Sequence, residues 1–96
     1  MKPKNFYIIS YDVRDPKRLR RIHSLMKDFG TWVQLSVFEC WLTREELSRL
    51  LDLLKATLDL SQDRVRIYNL CKTCREKTTS FGWSEMAEEP ADGMVM

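Results

Sequence analysis

An α+β domain is expected from three observations in the sequence. Phe6 to Tyr11 is an apolar run of aromatic and β-branched residues, two stretches carry apolar residues at helical spacing behind capping signals, and further β-rich segments lie between and after them. The 96 residues make one small domain. At this size about 60–70% of the unfolded chain's surface is buried on folding, so oligomerisation is a natural supplement to the core.

Phe6 to Tyr11 shows little alternation, which predicts a central strand buried on both faces. Asp15 followed by Pro16 is an N-cap with proline at the first helical position. The first helix is expected to run to about Phe29, with Leu19, Ile22, Leu25, Met26 and Phe29 on one face, and to end at Gly30. Lys17, Arg20, Arg21, Ser24 and Lys27 fall on the opposite face. Thr31 to Leu42 (TWVQLSVFECWL) is β-rich with no Gly or Pro. It reads either as one long strand or as two short strands with a tight turn near Leu35 and Ser36.

Thr43 and Glu46 form a capping box that opens a second helix, and Leu47, Leu50, Leu51, Leu54 and Leu58 give it a core-facing stripe. Asp59 to Asp63 is a polar turn, and Arg64 to Leu70 alternates as a strand. Lys72 to Trp83 reads as an extra C-terminal edge strand that finds its partner elsewhere. Residues 84–96 have the composition of a disordered, acidic tail, which leaves residues 1–83 as the domain. A single middle strand would leave a thin three-stranded sheet. The hairpin reading is therefore preferred, and it gives the ferredoxin-like order βαββαβ, an antiparallel sheet with two helices on one face.

All sixteen Lys and Arg lie within residues 1–83 against ten acids, a net +6, whereas the last thirteen residues hold four acids and no base. A basic body of this kind suits a polyanionic partner, and an ordinary solvated surface is the plainer alternative. No apolar stretch is long enough to span a bilayer, so no membrane association is expected. The N-terminus MKPKN lacks an apolar signal region, and the expected location is cytoplasmic. Cys71 and Cys74 form C-x-x-C, but only Cys40 and His23 remain to complete a zinc site, so packing at a strand end is the default reading.

No P-loop, G-x-G-x-x-G, H-E-x-x-H or nucleophile elbow is present. His23 lies on the flank of the first helix among basic residues, where a packing or surface role is the ordinary one. Asp28, Glu45, Asp52 and Asp59 read as solvating groups, and Glu39 is placed on the open face of the sheet. Asp12, at the end of the first strand and just before a cationic helix, is the sharpest candidate. One carboxylate does not make a magnesium site, but a two-fold dimer brings two together. Otherwise Asp12 caps the strand end or pairs with Arg14 or Arg18. Arg18, Arg20 and Arg21 are candidates for backbone phosphates, and Tyr11, Trp32 and Phe38 for stacking on bases.

YIISYDV at 7–13, the Arg-rich helix start, TWVQLSVFECWL at 31–42 and RVRIYNLC at 64–71 together resemble one family. It is the small CRISPR-associated endoribonuclease of the spacer-acquisition (adaptation) module, the non-integrase partner of the CRISPR integrase. The resemblance implies a homodimer in which the segment after Leu70 adds a strand to the neighbouring protomer's sheet. It makes Asp12 the ligand of a divalent metal, Mg2+ or another, shared between the two Asp12 of the dimer, with Tyr11 beside it in the catalytic motif. Arg18 and Arg21 match basic positions on helix one, and Ser36 and Phe38 match the S-V-F element; with Arg20 they are the expected nucleic-acid contacts.

The family's function is itself divided. One description is a magnesium-dependent endonuclease acting on single-stranded RNA or double-stranded DNA. Another is a non-catalytic scaffold that bridges integrase dimers and holds a new spacer duplex. A related toxin-like ribonuclease family shares the dimer fold and is a further alternative.

Overall fold

The computed structural model describes residues 2–70. The expected strand at 72–83, the pair Cys71 and Cys74, and the acidic tail at 84–96 lie outside the described residues. The elements run β1 (Asn5–Asp12), α1 (Pro16–Lys27), β2 (Thr31–Gln34), β3 (Val37–Leu42), α2 (Arg44–Thr57) and β4 (Arg64–Leu70). The sheet is antiparallel in the order β2-β3-β1-β4, the ferredoxin-like arrangement. Thr31 to Leu42 is thus a hairpin, with the turn at Leu35 and Ser36.

The helix starts follow from local chemistry. The Asp15 carboxylate accepts the Arg18 amide at 2.9 Å, with Pro16 at the first helical position. In α2 the Thr43 hydroxyl accepts the Glu46 amide at 3.1 Å and the Glu46 carboxylate accepts the Thr43 amide at 2.8 Å. Helix α1 ends at Lys27, two residues short of the expected end. The amides of Asp28 and Phe29 turn to the carbonyls three residues back, tightening the last turn. Gly30 is required by close approach: a Cβ there would stand 2.6 Å from the Glu39 carbonyl oxygen and against the Cys40 sulfur.

Alternation along the strands divides the sheet into two faces. Tyr7, Ile9, Tyr11 and Val13 join Phe38, Cys40 and Leu42 beneath the helices, where Ile22, Met26, Leu50 and Leu54 close the core. Burial of each large apolar side chain there contributes about 1.5–3 kcal/mol. Cys40 is wholly enclosed, and burial pushes its thiol up to about 12, which keeps it unreactive. The other face carries Phe6, Ile8, Ser10 and Asp12 of β1, Glu39 and Trp41 of β3, and Arg64, Arg66 and Tyr68 of β4. Among the described residues no helix is long and apolar enough to cross a membrane.

Candidate nucleic-acid and metal site

Strand β1 delivers Tyr11 and Asp12 to opposite faces of the sheet. Asp12 is exposed at the strand's end, paired in register with Arg64 on β4, while Arg66 pairs with Ser10 one step further in. These residues, with Tyr11 and Tyr68, line a depression of about 250 Å³. The carboxylate forms no ion pair with Arg14, Arg18, Arg64 or Arg66 among the described residues. Arg64 and Arg66 were missed by sequence reasoning. Their alternation in RVRIY places them on one face, but the register that sets them beside Asp12 is a long-range pairing.

Tyr11 is buried on the helix side. Its hydroxyl lies 3.0 Å from His23 Nδ1 and its amide donates to the Ser36 carbonyl at 3.1 Å. Burial raises the phenol's pKa, partly offset by a hydrogen bond with the Ser36 side chain. Phe38 is fully enclosed, stacked on Tyr11 at 6.2 Å and met edge-on by His23 at 5.3 Å. The buried Tyr11 and Phe38 and the half-buried His23 and Ser36 therefore form a brace between β1, α1 and the β2–β3 turn. The structure does not bring Ser36 or Phe38 into the depression around the Asp12 carboxylate; Tyr11 borders it, but burial removes both Tyr11 and Phe38 from direct contact with a base.

The three helix-one arginines separate. Arg20 and Arg21 are exposed and, with Lys17 and Ser24, line an open depression of about 480 Å³ on the outer side of α1. Arg18 is committed elsewhere: its Nε and Nη2 donate to the Asp63 carboxylate at 2.8 and 3.1 Å. The same carboxylate accepts the amides of Arg14 at 3.0 Å and Asp59 at 2.9 Å. The Arg18 guanidinium holds the Asp63 carboxyl far below the usual carboxylate range, against the opposing effect of burial and with help from the two amides. In the sequence Asp63 shows only as part of a polar turn, because its partner stands 45 residues away in the chain.

Among the described residues no group of three His, Cys, Asp or Glu side chains converges to hold a metal. Asp12 alone fits a hard divalent cation, as one oxygen ligand open to solvent. Mg2+ takes one or two carboxylates and completes its shell with water.

The architecture and the acid at the β1 end define a small ferredoxin-like protein with a basic helix on one face of the sheet and an exposed carboxylate on the other. The family described as CRISPR associated protein Cas2 matches residues 5–78, and the chain belongs to that family. It is 35% identical over 81 residues to CRISPR-associated endoribonuclease Cas2 4 of Rhodospirillum rubrum, covering 84% of this chain and 65% of that protein. The chain thus spans about two thirds of that relative's length. It is 34% identical over 92 residues to CRISPR-associated endoribonuclease Cas2 3 of Chloroflexus aurantiacus, covering 96% of this chain and 99% of that one. The crystal structure of Streptococcus pyogenes Cas2 at pH 6.5 superposes with a TM-score of 0.72 at 34% identity, over 80% of this chain and 99% of that chain.

Proposed function

We propose that the chain is a magnesium-dependent endonuclease of CRISPR adaptation that acts as a homodimer alongside the CRISPR integrase. Its substrate is single-stranded RNA or double-stranded DNA. The observation that carries this reading is Asp12, an exposed carboxylate at the end of the central strand, not ion-paired among the described residues and flanked by Arg64 and Arg66. The endoribonuclease names of relatives in the same family support the chemistry.

Asp12 from each protomer would hold a divalent cation between them. Without a cation or proton the two carboxylates repel, so metal binding and dimer geometry are coupled. The bound metal would supply charge neutralisation at the phosphate and activation of water. Arg64 and Arg66 bind and orient the phosphate next to Asp12, and the planar guanidinium suits that task. Tyr11 works from the buried side as a support: together with Ser36, His23 and Phe38 it fixes the strand end from which Asp12 emerges. Arg20 and Arg21 hold the sugar–phosphate backbone away from the reacting centre.

The deciding experiment compares wild-type and Asp12→Asn proteins for cleavage of RNA and DNA over a Mg2+ titration. Asp12→Asn should remove cleavage and leave dimerisation and binding intact. Cleavage at the wild-type rate by purified Asp12→Asn protein would defeat the catalytic assignment.

The separation of the basic α1 depression from Asp12 favours a second reading, a non-catalytic dimeric scaffold that bridges integrase dimers and holds the spacer duplex. On that reading spacer acquisition survives Asp12→Asn and fails when Arg20 and Arg21 become Glu.

A further inference from the structure

We propose that Trp32, with Leu35 beside it, is a stacking platform for an unpaired base of a nucleic-acid strand whose phosphates run over α1. The inference rests on the nucleic-acid reading above and adds a contact of a different kind.

Of the three aromatic residues that the sequence offers for stacking, only one is available. Tyr11 is 6% and Phe38 0% exposed, whereas Trp32 is 55% exposed. So large an apolar side chain normally contributes most of its area to a core or an interface. The ring is nevertheless held. Its Nε1–H donates to the Leu35 carbonyl at 2.9 Å, and the His23 ring meets it at 5.9 Å with an interplanar angle of 80°. A ring fixed before binding loses little conformational freedom when a base stacks on it.

The turn that holds the indole is itself unusual. Leu35 adopts φ 39°, a left-handed conformation that a non-glycine residue takes up only at a cost. Its side chain is 84% exposed, so core packing does not compensate. The Leu35 carbonyl is the acceptor of the indole N–H, so this strained turn is the feature that orients Trp32. The result is an apolar ring and an apolar side chain displayed together at the tip of the hairpin.

Charge identifies the occupant. Helix α1 carries Lys17, Arg18, Arg20, Arg21 and Lys27 and no acid along its length. His23, which meets Trp32, has Arg20 three residues before it and Lys27 four residues after it, so both cations share its flank of the helix. That flank leads into the depression lined by Lys17, Arg20, Arg21 and Ser24. A stripe of cations ending at a presented aromatic ring is the arrangement that binds single strands, with phosphates on the cations and a base on the ring.

The test measures binding of oligouridylate, oligothymidylate and a blunt duplex of equal length, over a salt series and without divalent metal. Trp32→Ala should lower affinity for both single strands about 5- to 100-fold and leave duplex affinity and the salt slope unchanged. Trp32→Phe should retain most of the affinity. In a protein whose Trp41 and Trp83 are replaced by Phe, Trp32 fluorescence should be quenched by single strands and not by duplex, a readout that does not depend on the alanine variant folding. Unchanged single-strand affinity in Trp32→Ala, or equal losses on duplex and single strand, overturns the proposal. So does wild-type nucleic-acid binding combined with lost association with a protein partner. A wild-type protein that binds neither probe defeats the nucleic-acid reading itself, which separates the two failures.

Discussion

Asp12 and Asp63 stand at the same end of the sheet, one closing β1 and the other immediately before β4, and their surroundings are opposite. Asp63 is buried and accepts four hydrogen bonds: two from the Arg18 guanidinium and one each from the Arg14 and Asp59 amides. Asp12 is exposed and forms no ion pair among the described residues. A carboxylate with all its lone pairs satisfied holds the β1–α1 connection to the α2–β4 turn and is unavailable for anything else. A carboxylate left open on a strand end adds little to the fold and retains its capacity for a ligand. One corner of the molecule thus holds both a carboxylate committed to the fold and a carboxylate left open to solvent.

Exchanging each for a neutral side chain sharpens that division. Asp12→Asn should reduce metal-dependent cleavage by about a thousandfold or more, as expected when the ligand of a catalytic cation is lost. Its melting temperature should stay near the wild-type value, because an exposed group away from packing carries little stability. Asp63→Ala should do the reverse. It strands a guanidinium and two amides, and the melting temperature should fall by roughly 10 °C, with cleavage by the remaining folded protein reduced far less. Thermal melts beside initial rates at saturating Mg2+ check both arms. A stable Asp63→Ala protein, or an unstable Asp12→Asn protein, would break the contrast.

Acid extends the same test without a new contact. Asp63 has its folded-state pKa lowered, chiefly by the Arg18 hydrogen bond. As pH falls the unfolded chain therefore takes up this proton first, near the ordinary Asp value of about 3.9, while the folded protein still resists it. The stability that Asp63 confers is complete above that value and is lost as pH drops toward the folded pKa. The gap in melting temperature between wild type and Asp63→Asn should be widest near neutrality and should narrow below about pH 4. A gap that stays constant from pH 7 to about pH 3 would show that the carboxylate's charge is not what stabilises this corner.

Much of this corner was legible in the sequence, and the part that was not has a definite physical character. Asp15 with Pro16 and Thr43 with Glu46 are local signals, because a cap acts within a single turn, and both helices begin where those residues place them. Asp12 was legible because a charge ending an apolar run is conspicuous. Ser36 could be placed at a turn, and the hairpin was preferred over one long strand only because a three-stranded sheet is thin; the left-handed Leu35 backbone is what reverses the chain there. Asp63 was not legible. Asp-Leu-Ser-Gln-Asp is an ordinary solvated turn until the fold brings Arg18 onto its last residue. Phe38 and Trp32 were indistinguishable as strand aromatics; they pair across β2 and β3, yet one lies in the core and the other at the sheet edge beyond it.

Arg18 and Arg20 carry that lesson to its smallest measurable consequence. In the sequence they are two cations of one cluster, whereas in the fold Arg18 belongs to Asp63 and Arg20 to the surface. Arg20→Ala should weaken nucleic-acid binding a few-fold, reduce the salt slope by about one, and leave the melting temperature unchanged, the signature of one lost phosphate contact. Arg18→Ala should lower the melting temperature, because it leaves the Asp63 carboxylate buried without its cation. Arg18→Lys should recover only part of that loss, since an ammonium does not reproduce the two-pronged contact at 2.8 and 3.1 Å. If Arg18→Ala changes the salt slope as much as Arg20→Ala does, while the protein melts as wild type, Arg18 leaves Asp63 in solution to meet phosphate. The division between a structural and a functional cation would then fail at this residue.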